Sequence, residues 1–103
     1  MINYSNLRVD SEAAYEILEA FEWYERKSDG LGKRFYNEVE QAIKKIQQNP
    51  FAFAGIKRNS NIRRVNLTHF PYKIFYDPSK EPMRVIAIVH TSRSPKYIAR
   101  RMK

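Results

Sequence analysis

The sequence predicts an α+β fold, an N-terminal helical hairpin packed on a small, mainly antiparallel β-sheet in the order β-α-α-β-β-β. Three observations carry this reading. Two consecutive segments repeat apolar residues at spacings of three and four, separated by a short polar connection. After Pro50 the apolar period falls to two. The longest purely apolar run, Val85 to Val89, has the length of a buried strand and is far too short to span a bilayer. Helices first and strands later imply a helical layer over a sheet, and 103 residues suit one domain, residues 1–103.

Ile2 to Arg8 is a candidate first strand. Ser11 to Lys27 is the first helix, with Asp10 or Ser11 as N-cap and Glu12 suited to the positive helix start. Its predicted apolar stripe is Ala14, Ile17, Leu18, Phe21 and Tyr24, while Glu12, Glu16, Glu19, Glu22 and Glu25 mostly fall on an acidic outer face. Ser28-Asp29-Gly30 reads as a tight connection. Leu31, Phe35, Val39, Ala42, Ile43 and Ile46 then form a second stripe that stops at Asn49-Pro50. Two such helices joined so briefly make an antiparallel hairpin.

Phe51 to Ser60 reads as irregular. In Ile62 to Leu67, alternation places Arg63, Val65 and Leu67 on one strand face. Phe70, Tyr72, Ile74 and Tyr76 alternate in the next strand, which Asp77-Pro78-Ser79-Lys80-Glu81-Pro82 terminates. Arg84 to Thr91, apolar on both faces, belongs inside the sheet. The basic tail, Ser94 to Lys103, has room for a short helix. The expected core comprises Ile17, Leu18, Phe21, Phe35, Val39, Ile43, Ile74, Ile86 and Ile88.

Composition narrows the functional classes. The absence of cysteine excludes disulfides, thiolate-bound zinc and a cysteine nucleophile. Met1-Ile2-Asn3-Tyr4 lacks the basic and apolar regions of a secretory leader, which points to a cytoplasmic protein with no membrane partner. The net charge of +8 is divided unevenly: residues 1–29 carry −4, whereas residues 56–103 carry +10. Such a field attracts a polyanion or an acidic protein.

Several stretches, in order over roughly residues 10 to 101, resemble the RelE/ParE family of toxins. They are Glu22-Trp23-Tyr24-Glu25, Gly30-Leu31-Gly32-Lys33-Arg34-Phe35, Ala42-Ile43 through Pro50, Phe70-Pro71-Tyr72-Lys73-Ile74-Phe75-Tyr76, Ile86-Ala87-Ile88-Val89-His90, and Arg93-Ser94-Pro95 with Arg100 beyond. The resemblance implies the toxin of a bacterial type II toxin–antitoxin pair, held in a hetero-oligomer by a cognate antitoxin that wraps it. It also implies two different targets. RelE-like members cut messenger RNA at the ribosome; ParE-like members inhibit DNA gyrase without being nucleases. The long hairpin and the scattering of lysines such as Lys57, Lys73 and Lys96 incline the reading towards the gyrase type, with the ribonuclease as alternative. A non-toxic nucleic-acid-binding module is a third reading, although the usual RNA- and DNA-binding fingerprints are missing.

If the protein is a ribonuclease, His90, Arg93 and Tyr97 supply the residue types for proton transfer and phosphate stabilisation. By position, Arg63 or Arg64 resembles the arginine on the first sheet strand of RelE-like enzymes, and Arg93 or His90 the group on the last. Lys57, Arg58, Arg63, Arg64, Lys73, Lys96, Arg100 and Arg101 are candidates for binding nucleic acid or an acidic antitoxin segment laid across the sheet. Each has a structural counterpart: a strand-end histidine as a hydrogen-bonded rim residue, Arg63 and Arg64 as edge covers or partners of the acidic helix, Tyr97 as a lid on the core. The spacing of Trp23, Phe70, Tyr72 and Tyr76 marks them as core residues before base-stacking platforms. His69 and His90 lack a carboxylate-linked metal spacing, so neither metal nor cofactor is expected.

Overall fold

A computed structural model describes residues 5–56 and 60–101. Along the chain run β1 (Leu7–Val9), α1 (Ser11–Lys27), α2 (Leu31–Gln48), β2 (Arg63–Asn66), β3 (Tyr72–Asp77), β4 (Met83–His90) and α3 (Pro95–Arg101). The order of elements is the predicted one, including the short C-terminal helix. Ile2 to Tyr4 of the expected first strand lie outside the described residues.

The sheet order is β1-β4-β3-β2. β3 is antiparallel to both neighbours and β1 is parallel to β4, which makes the sheet mixed. β4 is interior, as its apolar faces require. Its pairing with β3 steps from Tyr76↔Val85 to Phe75↔Ala87, so Ile86 is an extra residue on β4. The bulge switches the face that the strand presents. Val85 and Ile88 both enter the helix-side core with Phe35, Val39, Ile43, Ile46, Ile74 and Tyr76, while Ile86, Ala87 and Val89 pack with Phe75 on the far side.

α2 buries the predicted stripe, with Phe35, Val39 and Ile46 inaccessible to solvent and Leu31 half-buried. α1 is rotated from the predicted setting. Its buried line is Ala13, Ile17, Ala20 and Tyr24; Phe21 is half-buried, Ala14 is exposed, and Leu18 is 53% exposed. Residue size misled the periodicity: Ala13 and Ala20 are small enough to let the helix lie close on the sheet, which turns Leu18 outward. Trp23, expected in the core, is 47% exposed and carries the Lys27 ammonium 4.8 Å from its ring centroid.

The hairpin connection rests on two glycines and one glutamate. Gly30, at the α2 N-cap, has φ of 84°, a left-handed conformation that glycine adopts without a Cβ penalty. A Cβ on Gly32 would stand 2.5 Å from the Phe21 carbonyl oxygen, so the two helices approach backbone to backbone there. Glu25 of α1 accepts from the Gly30 and Gly32 amides at 2.9 Å each, serving α2 as a cap supplied from the neighbouring helix. These amide bonds, Gly30 first, hold the Glu25 carboxyl below the usual carboxylate range.

Candidate functional site

On the side of β1, the sheet leaves one stretch of β4 without a neighbouring strand. β1 pairs with Met83 to Val85 only; the Asp10 amide then donates to the Val85 carbonyl at 2.9 Å and the chain enters α1. Side chains serve the exposed edge beyond. Glu16 Oε1 accepts from the Ile88 amide at 3.0 Å, and Arg101 Nη2 donates to the Ile86 carbonyl at 2.8 Å. The same two residues pair with each other, Arg101 Nη1 lying 2.6 Å from Glu16 Oε2. Burial disfavours the charge on Arg101, but the carboxylate of Glu16 outweighs it and raises the guanidinium pKa above its ordinary value. Glu12 adds a contact at 3.3 Å from the rim. Glu16 is therefore an inward residue, contrary to its assignment to the acidic outer face.

This ionic latch fixes α3 and, through it, Tyr97. The Tyr97 hydroxyl donates to Glu16 Oε2 at 2.9 Å and accepts from Arg101 Nη1 at 3.0 Å. Its ring packs against the outer apolar cluster of Phe75, Ile86, Ala87 and Val89. Arg93 lies over that ring, 4.7 Å from guanidinium carbon to centroid. His90, half-buried at the end of β4, meets Tyr72 edge-on at 5.3 Å. Its Nδ1 is bonded by the Ser92 amide at 3.1 Å and faces the Ser92 hydroxyl at 2.8 Å. An N–H donating to Nδ1 places the proton of the neutral ring on Nε2.

His90, Arg93 and Tyr97 thus line one groove of about 840 Å³ between α1, the end of β4 and α3. Tyr15, Glu19, Trp23, Tyr24 and Arg26 complete its α1 wall. Periodicity assigned most of these to core or solvent and did not point to the groove. Burial pushes the Tyr72 hydroxyl pKa up, reinforced by Tyr24 and Glu19 and opposed by Arg93.

The candidate binding residues are dispersed. Arg63 faces the helix side, donating to the Phe53 and Phe51 carbonyls at 2.6 and 3.2 Å with its guanidinium 5.1 Å from the Phe51 ring. Together with the Tyr76 hydroxyl, which donates to the Pro50 carbonyl at 2.6 Å, it pins the chain leaving α2. Arg64 is exposed on the edge strand and Lys73 half-buried beside Val89. Lys96 and Arg100 are exposed on α3, whereas Arg101 is turned inward. Lys57 and Arg58 lie outside the described residues.

A second groove, of about 430 Å³, runs between α2 and the β2–β3 connection. Here Glu38 accepts from the His69 amide at 2.6 Å and faces His69 Nδ1 at 2.9 Å. Burial pushes the Glu38 carboxyl up, but the bonds from His69 and Thr68 prevail and leave it below the usual range. His69 and His90 consequently stand in different grooves.

The architecture is thus a two-helix hairpin on a mixed four-stranded sheet, with one groove closed by a basic C-terminal helix. The sequence model of the family described as "ParE toxin of type II toxin-antitoxin system, parDE" matches residues 7–95. The chain belongs to this ParE toxin family. Among solved structures, a chain of the "Chromosomal ParDE TA system from P. aeruginosa" superposes with a TM-score of 0.68 at 16% identity, covering 82% of this chain and 94% of that one. Comparison with curated proteins gives no match.

Proposed function

We propose that this ParE-family toxin acts by binding DNA gyrase, without cleaving RNA, and that it is neutralised by a cognate antitoxin. The observation that carries the non-enzymatic reading is the engagement of Tyr97. Its hydroxyl is held between Glu16 and Arg101 and its ring lies under Arg93, so its polar group is engaged in joining α3 to α1. A nuclease needs its acid and base within reach of one phosphate. Here the tyrosine serves the latch, and Nδ1 of His90 is spent on Ser92.

An acidic antitoxin segment crossing the C-terminal half would meet the +10 of residues 56–103 and neutralise the field that draws the target. Of the arginines expected beneath it, Arg64 and Arg100 are exposed. Expression under an inducible promoter, followed in the same cells by plasmid supercoiling and messenger-RNA integrity, tests the target. Loss of negative supercoiling with intact messages is the expected outcome. Codon-phased message cleavage with normal supercoiling would establish the ribonuclease reading.

A further inference from the structure

The latch sorts the cations of the C-terminal segment into two groups. Arg101 is turned inward and neutralised by Glu16 and Glu12. Arg93, Lys96 and Arg100 are exposed, and among the described residues none of the three forms an ion pair with a carboxylate. Lys96 and Arg100 stand four residues apart, on one flank of α3. Arg93, three residues before Lys96, stacks on Tyr97 of the same segment and lines the groove beside α1. Lys73 lies on the same side of the sheet: its partner across the ladder, Val89, is in the cluster that Tyr97 covers.

We infer that this rim, Lys73, Arg93, Lys96 and Arg100, is a binding surface for the phosphate backbone of duplex DNA, and that the toxin engages gyrase together with the DNA that gyrase holds. The inference rests on the proposed gyrase target for the choice of DNA, and on charge and placement for the surface itself. Point cations on an outward helix flank, with exposed Ala99 between Lys96 and Arg100, suit a regular polyanion read through its charge. An acidic peptide needs apolar anchors as well as charge. The exposed apolar side chains Tyr15 and Trp23 stand on the α1 wall of the groove that Arg93 lines, whereas Lys73, Lys96 and Arg100 do not line that groove. Glu16 is a positioning residue, since it holds α3 so that Lys96 and Arg100 project outward.

The test is fluorescence anisotropy of a labelled linear DNA duplex of arbitrary sequence, titrated with the full-length protein over a range of salt. Duplex RNA and polyglutamate serve as competitors, and gyrase supercoiling is assayed on the same preparations. Wild type is expected to bind DNA with a steep salt dependence. Lys96→Gln/Arg100→Gln should lower the slope of log affinity against log salt by about 2, since each lost phosphate contact removes about one. An unchanged circular dichroism spectrum and melting curve identify this as a surface effect, and Arg93→Gln offers a second, independent variant should the double one misfold. Absence of salt-dependent DNA binding by the wild type, equal slopes in wild type and both variants, or preferential competition by RNA or polyglutamate would each overturn the inference. Gyrase inhibition by a protein that does not bind DNA would remove the surface and leave the target. DNA binding with no gyrase inhibition would leave the surface and remove the target.

Discussion

Glu16, like its partner Arg101, joins three elements of this molecule. It accepts from a β4 amide, pairs with Arg101 and receives the Tyr97 hydroxyl, so one carboxylate ties α1, β4 and α3 together. Breaking a buried ion pair from one side typically costs about 3 to 5 kcal/mol; the rim position of this one places Glu16→Ala near the lower figure. The loss should be local. Hydrogen exchange of the α3 amides should accelerate while amides of β3 and α2 keep wild-type protection, and uniform acceleration would show that the latch is not a separate unit. At the other end of the hairpin, Gly32→Ala must displace the Phe21 carbonyl, and overpacking of this kind costs about 1 to 3 kcal/mol. A urea denaturation midpoint equal to wild type would mean that the helices can separate there freely. Neither role was legible in the sequence. Glu16 sits in a run of glutamates at similar spacing, and only contacts across more than seventy residues distinguish it.

At the scale of elements, the sequence was most informative where one stripe meets one partner. The α2 pattern was readable because large apolar residues, Phe35, Val39, Ile43 and Ile46, mark its buried face, and Phe35 is fully enclosed, ringed by Tyr24, Phe70 and Tyr72. Phe35→Ala should cost about 3 to 5 kcal/mol in equilibrium unfolding, and a loss below about 1 kcal/mol would show that the site refills. In α1 the periodicity failed by one helix flank, because Ala13 and Ala20 define the buried line and contribute little to an apolar pattern weighted by size. β4 was correctly placed inside the sheet from its composition, yet the bulge at Ile86 left no mark that alternation could detect, since every residue around it is apolar. The unpaired edge that results gives Glu16 and Arg101 their backbone partners.

For the whole molecule, charge segregation was legible in the sequence, and the positions of His90, Arg93 and Tyr97 in one groove followed from the strand end and tail that carry them. That the groove's other wall is α1 depended on the rotation of that helix and could not be read. Acid should weaken the fold through Glu25 and Glu38, whose carboxyls are held low by backbone amides. A depressed carboxyl pKa contributes stability above its unfolded value, about 4.3, and that contribution disappears as pH falls through the lower folded value. The denaturation midpoint should therefore be nearly level from neutrality to about pH 5 and decline below it. Glu38→Gln should start lower and decline less, so a wild-type excess that grows on acidification would contradict the assignment. Whether this ParE-family toxin inhibits gyrase by binding is decided by titrating purified protein into a gyrase supercoiling reaction, using wild type and a folded His90→Ala variant. Both should inhibit at similar concentrations, with ribosome-bound messenger RNA left intact. Undisturbed supercoiling alongside message cleavage that His90→Ala abolishes would contradict it.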